Sequence, residues 1–284
     1  MGSLSLEEIK KVELDCLREL DRLCAEHGLT YVLAYGTLIG ALRHEGFIPW
    51  DDDIDVHMPR ADYERLYRLY QDGALDPRFT IASYRDRSSI YPFFKLVDTR
   101  TRAEETFIDE RNALGLWVDI FPLERVDLTD PRLERIRRRA SRLVWWRHLA
   151  ATDPRYATSS AARLVKRLIH PFTRRIDPYD VARKADALAR SADAGAGARQ
   201  EDLRHVLLVD DRMDRNILAP DDLLPTRRAA FEGQSFAVPA RAEEILTSYY
   251  GDWRRVPPPE ERPPSHLRSV TWVRPEHGGG ARHD

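Results

Sequence analysis

The sequence predicts an α/β (α+β) protein: a mixed, twisted sheet of about five strands flanked by helices, with a helical insertion before the chain returns to the sheet. Three observations carry this expectation. Residues 5–27 repeat apolar side chains at helical spacing, whereas 29–34, 79–84, 91–97 and 117–122 are short β-rich runs, so helix and strand signals mix through 5–125. A stretch with helical signals only, 131–192, follows. Strand signals return at 203–209, 229–231 and 235–238, ahead of a closing helix at 240–250. With 284 residues, 42% of them hydrophobic, the chain can build one large core or two small ones.

Taken in order, Ser5 caps the first helix and Gly28 stops it. Cys16 and Cys24 fall on its apolar face with Ile9, Val12, Leu20 and Leu23, too far apart on one helix to bridge, so neither a disulfide nor a zinc site is expected. Leu29 to Ala34 reads as the first core strand, Gly36-Thr37 as a sharp turn, and Leu38 to Arg43 as a short helix. Pro59 to Asp72 is amphipathic, with Tyr63, Leu66, Tyr67 and Tyr70 on the core side. The strands at 79–84 and 91–97 flank the polar turn 85–89, and Arg102 to Ile108 adds another. Helices are expected at 131–150, 160–170 and 178–192, then a flexible stretch to Gly197. The expected organisation is a catalytic core at 1–125, a basic helical segment at 126–200, a C-terminal segment at 201–260 packing back on the core, and an extended, flexible tail at 261–284 rich in proline and glycine.

The chemistry-bearing stretch is Asp51, Asp52, Asp53 and Asp55, four acids in five positions directly after Phe47-Ile48-Pro49-Trp50. Like charges so close raise one another's pKa, and a divalent cation is the usual remedy; oxygen-only ligands suit Mg²⁺ or Mn²⁺. If 53–56 is a strand, Asp53 and Asp55 share a face while Ile54 and Val56 point inward. An acidic surface turn is the bland alternative. The alternation with apolar residues and the upstream Gly36-Thr37 pair favour the metal reading. A glycine, a hydroxyl and a helix N-terminus together form an anion-binding arrangement. Lys95 and Asp119 are each a lone charge in an apolar strand-like run, where an unpaired charge is costly. A lysine beside an acid–metal site suits a diphosphate.

Net charge is −2, but residues 131–175 hold twelve Arg and one Lys against Glu134 and Asp153, leaving thirteen net negative charges elsewhere. Arg135, Arg138, Arg139 and Arg142 form one helical face beside Val144, Trp145, Trp146 and Leu149. That face reads as solvated, or as a contact for anionic lipid or a phosphorylated acceptor. Nucleic acid is disfavoured because no groove-reading motif is present. No apolar run approaches membrane-spanning length and the N-terminus lacks a signal-peptide core, so a cytoplasmic protein is expected, with the basic segment as its route to the membrane periphery.

The stretch AYGTLIGALRHEGFIPWDDDIDVHMPRADYERL, with FFKLVD at 93–98, VDIFPLE at 118–124 and FEG…VP…YYGDW across 231–253, resembles the LicD family, related to the fukutin and fukutin-related proteins of the nucleotidyltransferase-fold superfamily. The resemblance covers 5–125 well and 226–258 more weakly. It implies a Gly-Ser/Thr turn, Asp-x-Asp on the next strand, and a third carboxylate from a neighbouring strand, for which Asp119 is the candidate. Asp53, Asp55 and Asp119 are then the metal ligands, with Asp119 alternatively the base for the acceptor hydroxyl. Asp51 and Asp52 orient the site or bind a second ion. Gly36 and Thr37 cradle phosphate, Arg43 and Lys95 supply positive charge, and His44 and Trp50 flank the entrance, where they touch the acceptor or the base. The implied reaction moves phosphocholine from CDP-choline, or phosphoribitol from CDP-ribitol, to a sugar hydroxyl and releases CMP. The same acids serve nucleotidyl transfer from an NTP with release of pyrophosphate, so that alternative stays open. So do an inactive nucleotide-binding member, against which the joint presence of Gly36, Thr37, Asp53, Asp55 and Asp119 argues, and a nucleic-acid-processing transferase.

Overall fold

The computed structural model describes residues 3–105, 114–151, 173, 175–194, 198–209 and 217–273. Helix α1 (Leu6–His27) opens with a reciprocal cap: the Ser5 hydroxyl accepts from the Glu8 amide, and the Glu8 carboxylate accepts from the Ser5 amide at 2.8 Å. Gly28, at φ 60°, ends it in the left-handed conformation. Next come β1 (Val32–Leu33), α2 (Tyr35–His44), β2 (Asp55–Pro59), α3 (Arg60–Gln71), β3 (Phe79–Ala82), β4 (Phe94–Asp98), β5 (Thr101–Glu105) and β6 (Trp117–Asp127). The second half holds α4 (Leu133–Ala151), α5 (Pro178–Arg190), β7 (Leu203–Val206), β8 (Ile217–Leu218), α6 (Pro220–Leu223), β9 (Arg227–Phe231), β10 (Gln234–Val238), α7 (Ala242–Tyr250) and β11 (Leu267–Trp272).

The sheet runs β1-β2-β6-β4-β3, with β2 and β6 parallel and the other pairs antiparallel. A parallel pair needs a crossover, and the chain makes it through α3, β3, β4 and β5. Strand β6 is the spine. Its first residues pair with β4 and β2, and Glu124–Asp127 reach on to pair with β7, which carries β8. The core forms between α1, α3 and this sheet. Tyr63 and Tyr67 of α3 stack on Phe94, with ring centroids 3.9 and 4.9 Å apart, so the tyrosine stripe is core as its periodicity predicts. Helix α5, against which α4 packs, joins the sheet through a buried ion cluster in which Arg60 meets Glu124 and lies 2.9 Å from Asp186, while the Tyr84 hydroxyl donates to Asp186 at 2.7 Å.

Several boundaries differ from the sequence reading, each for a local reason. The first strand shortens to Val32–Leu33 because the Thr30 amide is taken by Asp62 Oδ2 of α3 at 3.0 Å. The chain reverses at Ala34–Tyr35, where Tyr35 has φ 47°, so Gly36 and Thr37 stand in the first turn of α2 and not in a turn before it. Strand β2 begins at Asp55; Asp53 precedes it, though Ile54 and Val56 are both buried as the alternation requires. Asp55 stands on β2 and Asp119 beside it on the central strand β6, while Asp51, Asp52 and Asp53 lie on the loop that leads into β2. Part of the stretch expected to be a flexible tail from 261 folds as β11, which pairs antiparallel with β5 and whose Val270 carbonyl accepts from the Leu4 amide at 2.7 Å. The expected helix at 160–170, residues 106–108 and the glycines 278–280 lie outside the described residues. Among the described residues no helix is long and apolar enough to cross a membrane.

His57 of β2 is buried edge-on to Tyr35 at 4.9 Å, and burial pushes its pKa down to about 3. The folded chain therefore holds it neutral while the unfolded chain protonates it below its ordinary 6.5. This contribution is constant above that value and falls as pH drops toward 3, by about 2 kcal/mol between pH 6.5 and 5. His57→Phe is expected to flatten that part of the acid limb. Urea midpoints at neutral pH and at pH near 5 check this; parallel acid losses in wild type and variant would contradict it.

Candidate active site

The site grows from the register of three strands. Asp55 of β2 pairs with Asp119 of the parallel β6, and Asp119 pairs with Lys95 of β4 on its other side. One row across the sheet therefore reads Asp55, Asp119, Lys95. Lys95 is only 2% exposed, and its Nζ lies 2.9 Å from Asp119 Oδ1 and 3.8 Å from the Trp117 ring centroid, with Tyr91 at 4.4 Å. The ammonium that was expected to meet a diphosphate is thus already engaged by Asp119.

Helix α2 sets the other wall. The Thr37 hydroxyl accepts from the Asp55 amide at 2.9 Å, which fixes the start of β2 against the first turn of α2. At Gly36 a Cβ would stand 2.6 Å from Asp51 Oδ2, so the Asp51 carboxylate lies directly against the backbone there. Lys10 of α1 holds the preceding loop by donating to the carbonyls of Ile48 and Pro49 at 3.3 and 3.0 Å. One helical turn on, Glu13 is 2% exposed, and its Oε2 has no hydrogen-bond partner among the described residues.

The C-terminal strap between α7 and β11 supplies the rest. Asp52 accepts from the Ser265 hydroxyl and from the Leu267 amide at 3.1 Å, and His266 Nδ1 lies 3.4 Å from Asp52 and 3.2 Å from Asp53. Two clefts result. One of about 510 Å³ is lined by Gly36, Arg43, Trp50, Asp51, Tyr250 and Trp253, among others. One of about 290 Å³ is lined by Asp52, Tyr91, Lys95, Glu105, Asp119 and Arg147, among others. Tyr35, Asp53, Asp55 and His266 belong to both, so the two acids form the ridge between the clefts.

Crowding and burial govern protonation here. Burial, then the charge of Asp53, pushes Asp51 up to about 7, and burial raises Asp53 too, against the pull of His266. Asp119 is raised by burial, with Lys95 opposing. Glu13 stands well above the usual carboxylate range through burial and the charges of Asp53, Asp52, Asp51 and Asp119. Burial would lift Asp52 as well, but hydrogen bonds from His266, Ser265 and the Leu267 amide outweigh it and hold that carboxyl low. The hydrogen bond to Asp52, helped by the charges of Asp53 and Asp51, lifts His266 to about 9.

A divalent cation fits this donor set in kind. The donors are oxygen-only, and Asp53 and Asp55 face both clefts. The His266 imidazolium beside Asp53 already stands in for a positive charge at that point. The fit is to two carboxylates: among the described residues no three His, Cys, Asp or Glu side chains are placed to hold one ion together.

Of the residues singled out from sequence, Gly36, Arg43, Trp50, Asp51, Asp52, Asp53, Asp55, Lys95 and Asp119 all line one or both clefts. Arg43 is anchored there by donating to the carbonyls of Trp253 and Arg255 at 2.6 and 3.1 Å. Thr37 is buried and His44 accepts from Arg43 Nε at 3.0 Å; neither appears among the residues lining the clefts. Sequence reading missed Glu13, Tyr35, Arg147 and His266. Glu13 alone left a legible mark, a lone acid between Ile9, Cys16 and Leu17 on an apolar helix face.

Acids on two central parallel strands, backed by a helix whose first turn holds Gly-Thr, define a nucleotidyltransferase-type domain. Residues 28–139 match the family described as LicD/FKTN/FKRP, nucleotidyltransferase domain, so the chain carries a LicD-family domain over those residues. It is 27% identical over 273 residues, 95% of this chain and 99% of the other, to the lipopolysaccharide cholinephosphotransferase LicD of Haemophilus influenzae. Shorter similarities join it to two uncharacterized Rickettsia proteins. RP689 of R. prowazekii is 30% identical over 76 residues, 24% of this chain and 29% of that protein. RT0683 of R. typhi is 37% identical over 69 residues, 24% of this chain and 20% of that protein.

Two glycines of α2 separate site from scaffold. Gly36→Ala displaces only the mobile end of Asp51, so turnover is expected to fall about 10²-fold with little change in melting temperature. In Gly40→Ala the new Cβ meets the Gly46 carbonyl and the Ile48 amide, which are backbone, and stability is expected to fall by about 1–3 kcal/mol. Thermal melts and initial rates of the two variants test the distinction, and equal loss of stability in both would refute it.

Proposed function

We propose that this transferase of phosphorus-containing groups moves a phosphocholine-type group from a CDP-activated donor to a hydroxyl acceptor such as a sugar, releasing CMP, with Mg²⁺ or Mn²⁺ as cofactor. The observation that carries the reading is the ridge of Asp53 and Asp55 between two clefts. In-line transfer at phosphorus needs the incoming and departing oxygens on opposite sides, with charge stabilisation between them. The larger cleft takes the donor: Trp50, Tyr250 and Trp253 offer apolar surface, and the anchored Arg43 offers positive charge toward phosphate. The smaller cleft takes the acceptor among Tyr91, Phe93, Trp117 and Glu105.

Asp53 and Asp55 would hold the cation, which when bound offsets the charge growing on the diphosphate. Asp119, on the acceptor side and held by Lys95 at 2.9 Å, takes the proton of the acceptor hydroxyl, and its upward-shifted pKa suits a base. Thr37 serves by fixing the backbone of Asp55, and Gly36 by leaving room for Asp51. The likeness to the Haemophilus influenzae cholinephosphotransferase supports phosphocholine as the transferred group.

Asp53→Ala and Asp55→Ala are each expected to lower turnover at least about 10³-fold in folded protein, and Asp119→Asn about 10²- to 10⁴-fold. The test follows CDP-choline, Mg²⁺ and a sugar acceptor by ³¹P NMR, with calorimetry of donor binding. CMP as product, and donor binding that depends on Mg²⁺ and disappears in Asp53→Ala, is the expected result. Pyrophosphate from CTP would replace the reading with nucleotidyl transfer. Near wild-type turnover in either aspartate variant would remove that residue from the site.

A further inference from the structure

Helix α4 has two unlike faces. Inward, Ile136, Ala140 and Val144 are buried, and the helix packs against α5, whose Val181, Ala182, Ala185 and Ala189 are buried. Outward, Arg135, Arg138, Arg139 and Arg142 are exposed along one stripe. The stripe ends in Trp145 and Trp146, which are 56% and 43% exposed and lie edge to face with centroids 4.9 Å apart. At helical rise the run from Arg135 to Trp146 spans about 16 Å. Glu134 holds Arg137 and Arg138, whereas Arg135, Arg139 and Arg142 make no ion pair among the described residues.

Exposing two adjacent indoles to water is unfavourable, and a solvated helix face gives no reason for it. Guanidinium groups in a row attract an anionic surface. Indoles beside them match the zone between lipid headgroups and acyl chains, where an aromatic body and a polar N–H are both satisfied. Nucleic acid would also attract the arginines, but backbone recognition leaves no role for a tryptophan pair packed on itself at the end of the stripe. On the next residue the helix turns inward: Arg147 is buried, stands 4.6 Å over the Tyr91 ring and lines the smaller cleft.

We propose that the outward face of α4, from Arg135 to Trp146, is a docking surface for an anionic lipid bilayer, with the arginines over the headgroups and Trp145 and Trp146 inserted among them. The surface is joined through Arg147 to the cleft assigned to the acceptor. The proposal is independent of the reaction assigned above, because its readout is vesicle binding by the full chain without substrate.

The experiment measures co-sedimentation with phosphatidylcholine vesicles and with vesicles in which phosphatidylglycerol replaces roughly a third of the lipid. Binding is expected to the anionic vesicles only and to weaken with salt. The triple variant Arg135→Gln/Arg139→Gln/Arg142→Gln is expected to bind on the order of a hundredfold more weakly, at about fivefold per charge. Trp145→Ala/Trp146→Ala is expected to lose both binding and the blue shift of tryptophan emission. All five positions are exposed, and far-UV circular dichroism verifies that the variants remain folded. In the wild type, quenching by lipids brominated in their acyl chains reports insertion without any substitution. No binding to anionic vesicles, equal binding to both compositions, or full binding by either folded variant would overturn the proposal. Tighter binding to RNA than to anionic vesicles, lost in the same arginine variant, would reassign the face to nucleic acid.

Discussion

Six carboxyl groups, those of Glu13, Asp51, Asp52, Asp53, Asp55 and Asp119, share one half-buried neighbourhood, and the rest of the fold answers to that constraint. Two like charges 4 Å apart near a protein surface repel by about 4 kcal/mol. Such a cluster persists only if some members are protonated and others face cations. Both devices operate here. Glu13 and Asp51 are pushed toward the protonated form, while Lys95 faces Asp119 and His266 bridges Asp52 and Asp53. The partners come from α1, the Asp-rich loop, β4, β6 and the C-terminal strap. Folding must therefore bring both ends of the chain to one place before the cluster is tolerable.

What the sequence disclosed and what it hid follow from this division. Alternation of Asp53, Ile54, Asp55 and Val56, and single charges at Lys95 and Asp119 within apolar runs, are local signals, and local signals survive in a string of letters. The Lys95–Asp119 contact is a different matter. It depends on β6 lying between β2 and β4, which periodicity does not specify. His266 was hidden for the same reason at longer range. It sits in a proline-rich arm with the look of a loose tail, 214 positions from the aspartate its amide contacts. The Gly36-Thr37 pair was legible as a special spot, but not that the reversal falls one step earlier at Tyr35, nor that the threonine hydroxyl accepts the Asp55 amide.

The C-terminal strap also settles how far the matched domain is self-sufficient. Residues 28–139 contain Asp51, Asp52, Asp53, Asp55, Lys95 and Asp119. They lack Tyr250, Trp253, Arg255 and Pro263, which wall the larger cleft, and His266, which belongs to both clefts. Without the strap, Asp52 would lose the Ser265, His266 and Leu267 donors that keep it ionised despite its burial. Trp50, now under the Arg262 guanidinium at 3.9 Å, would lose its cover. The domain supplies the clustered carboxylates, and the strap turns an open acidic face into two facing compartments. Pairing of β11 with β5 and with the N-terminal Leu4 is what holds it there, so this two-stranded sheet, whose Leu267 and Glu105 line the smaller cleft, determines the shape of the site.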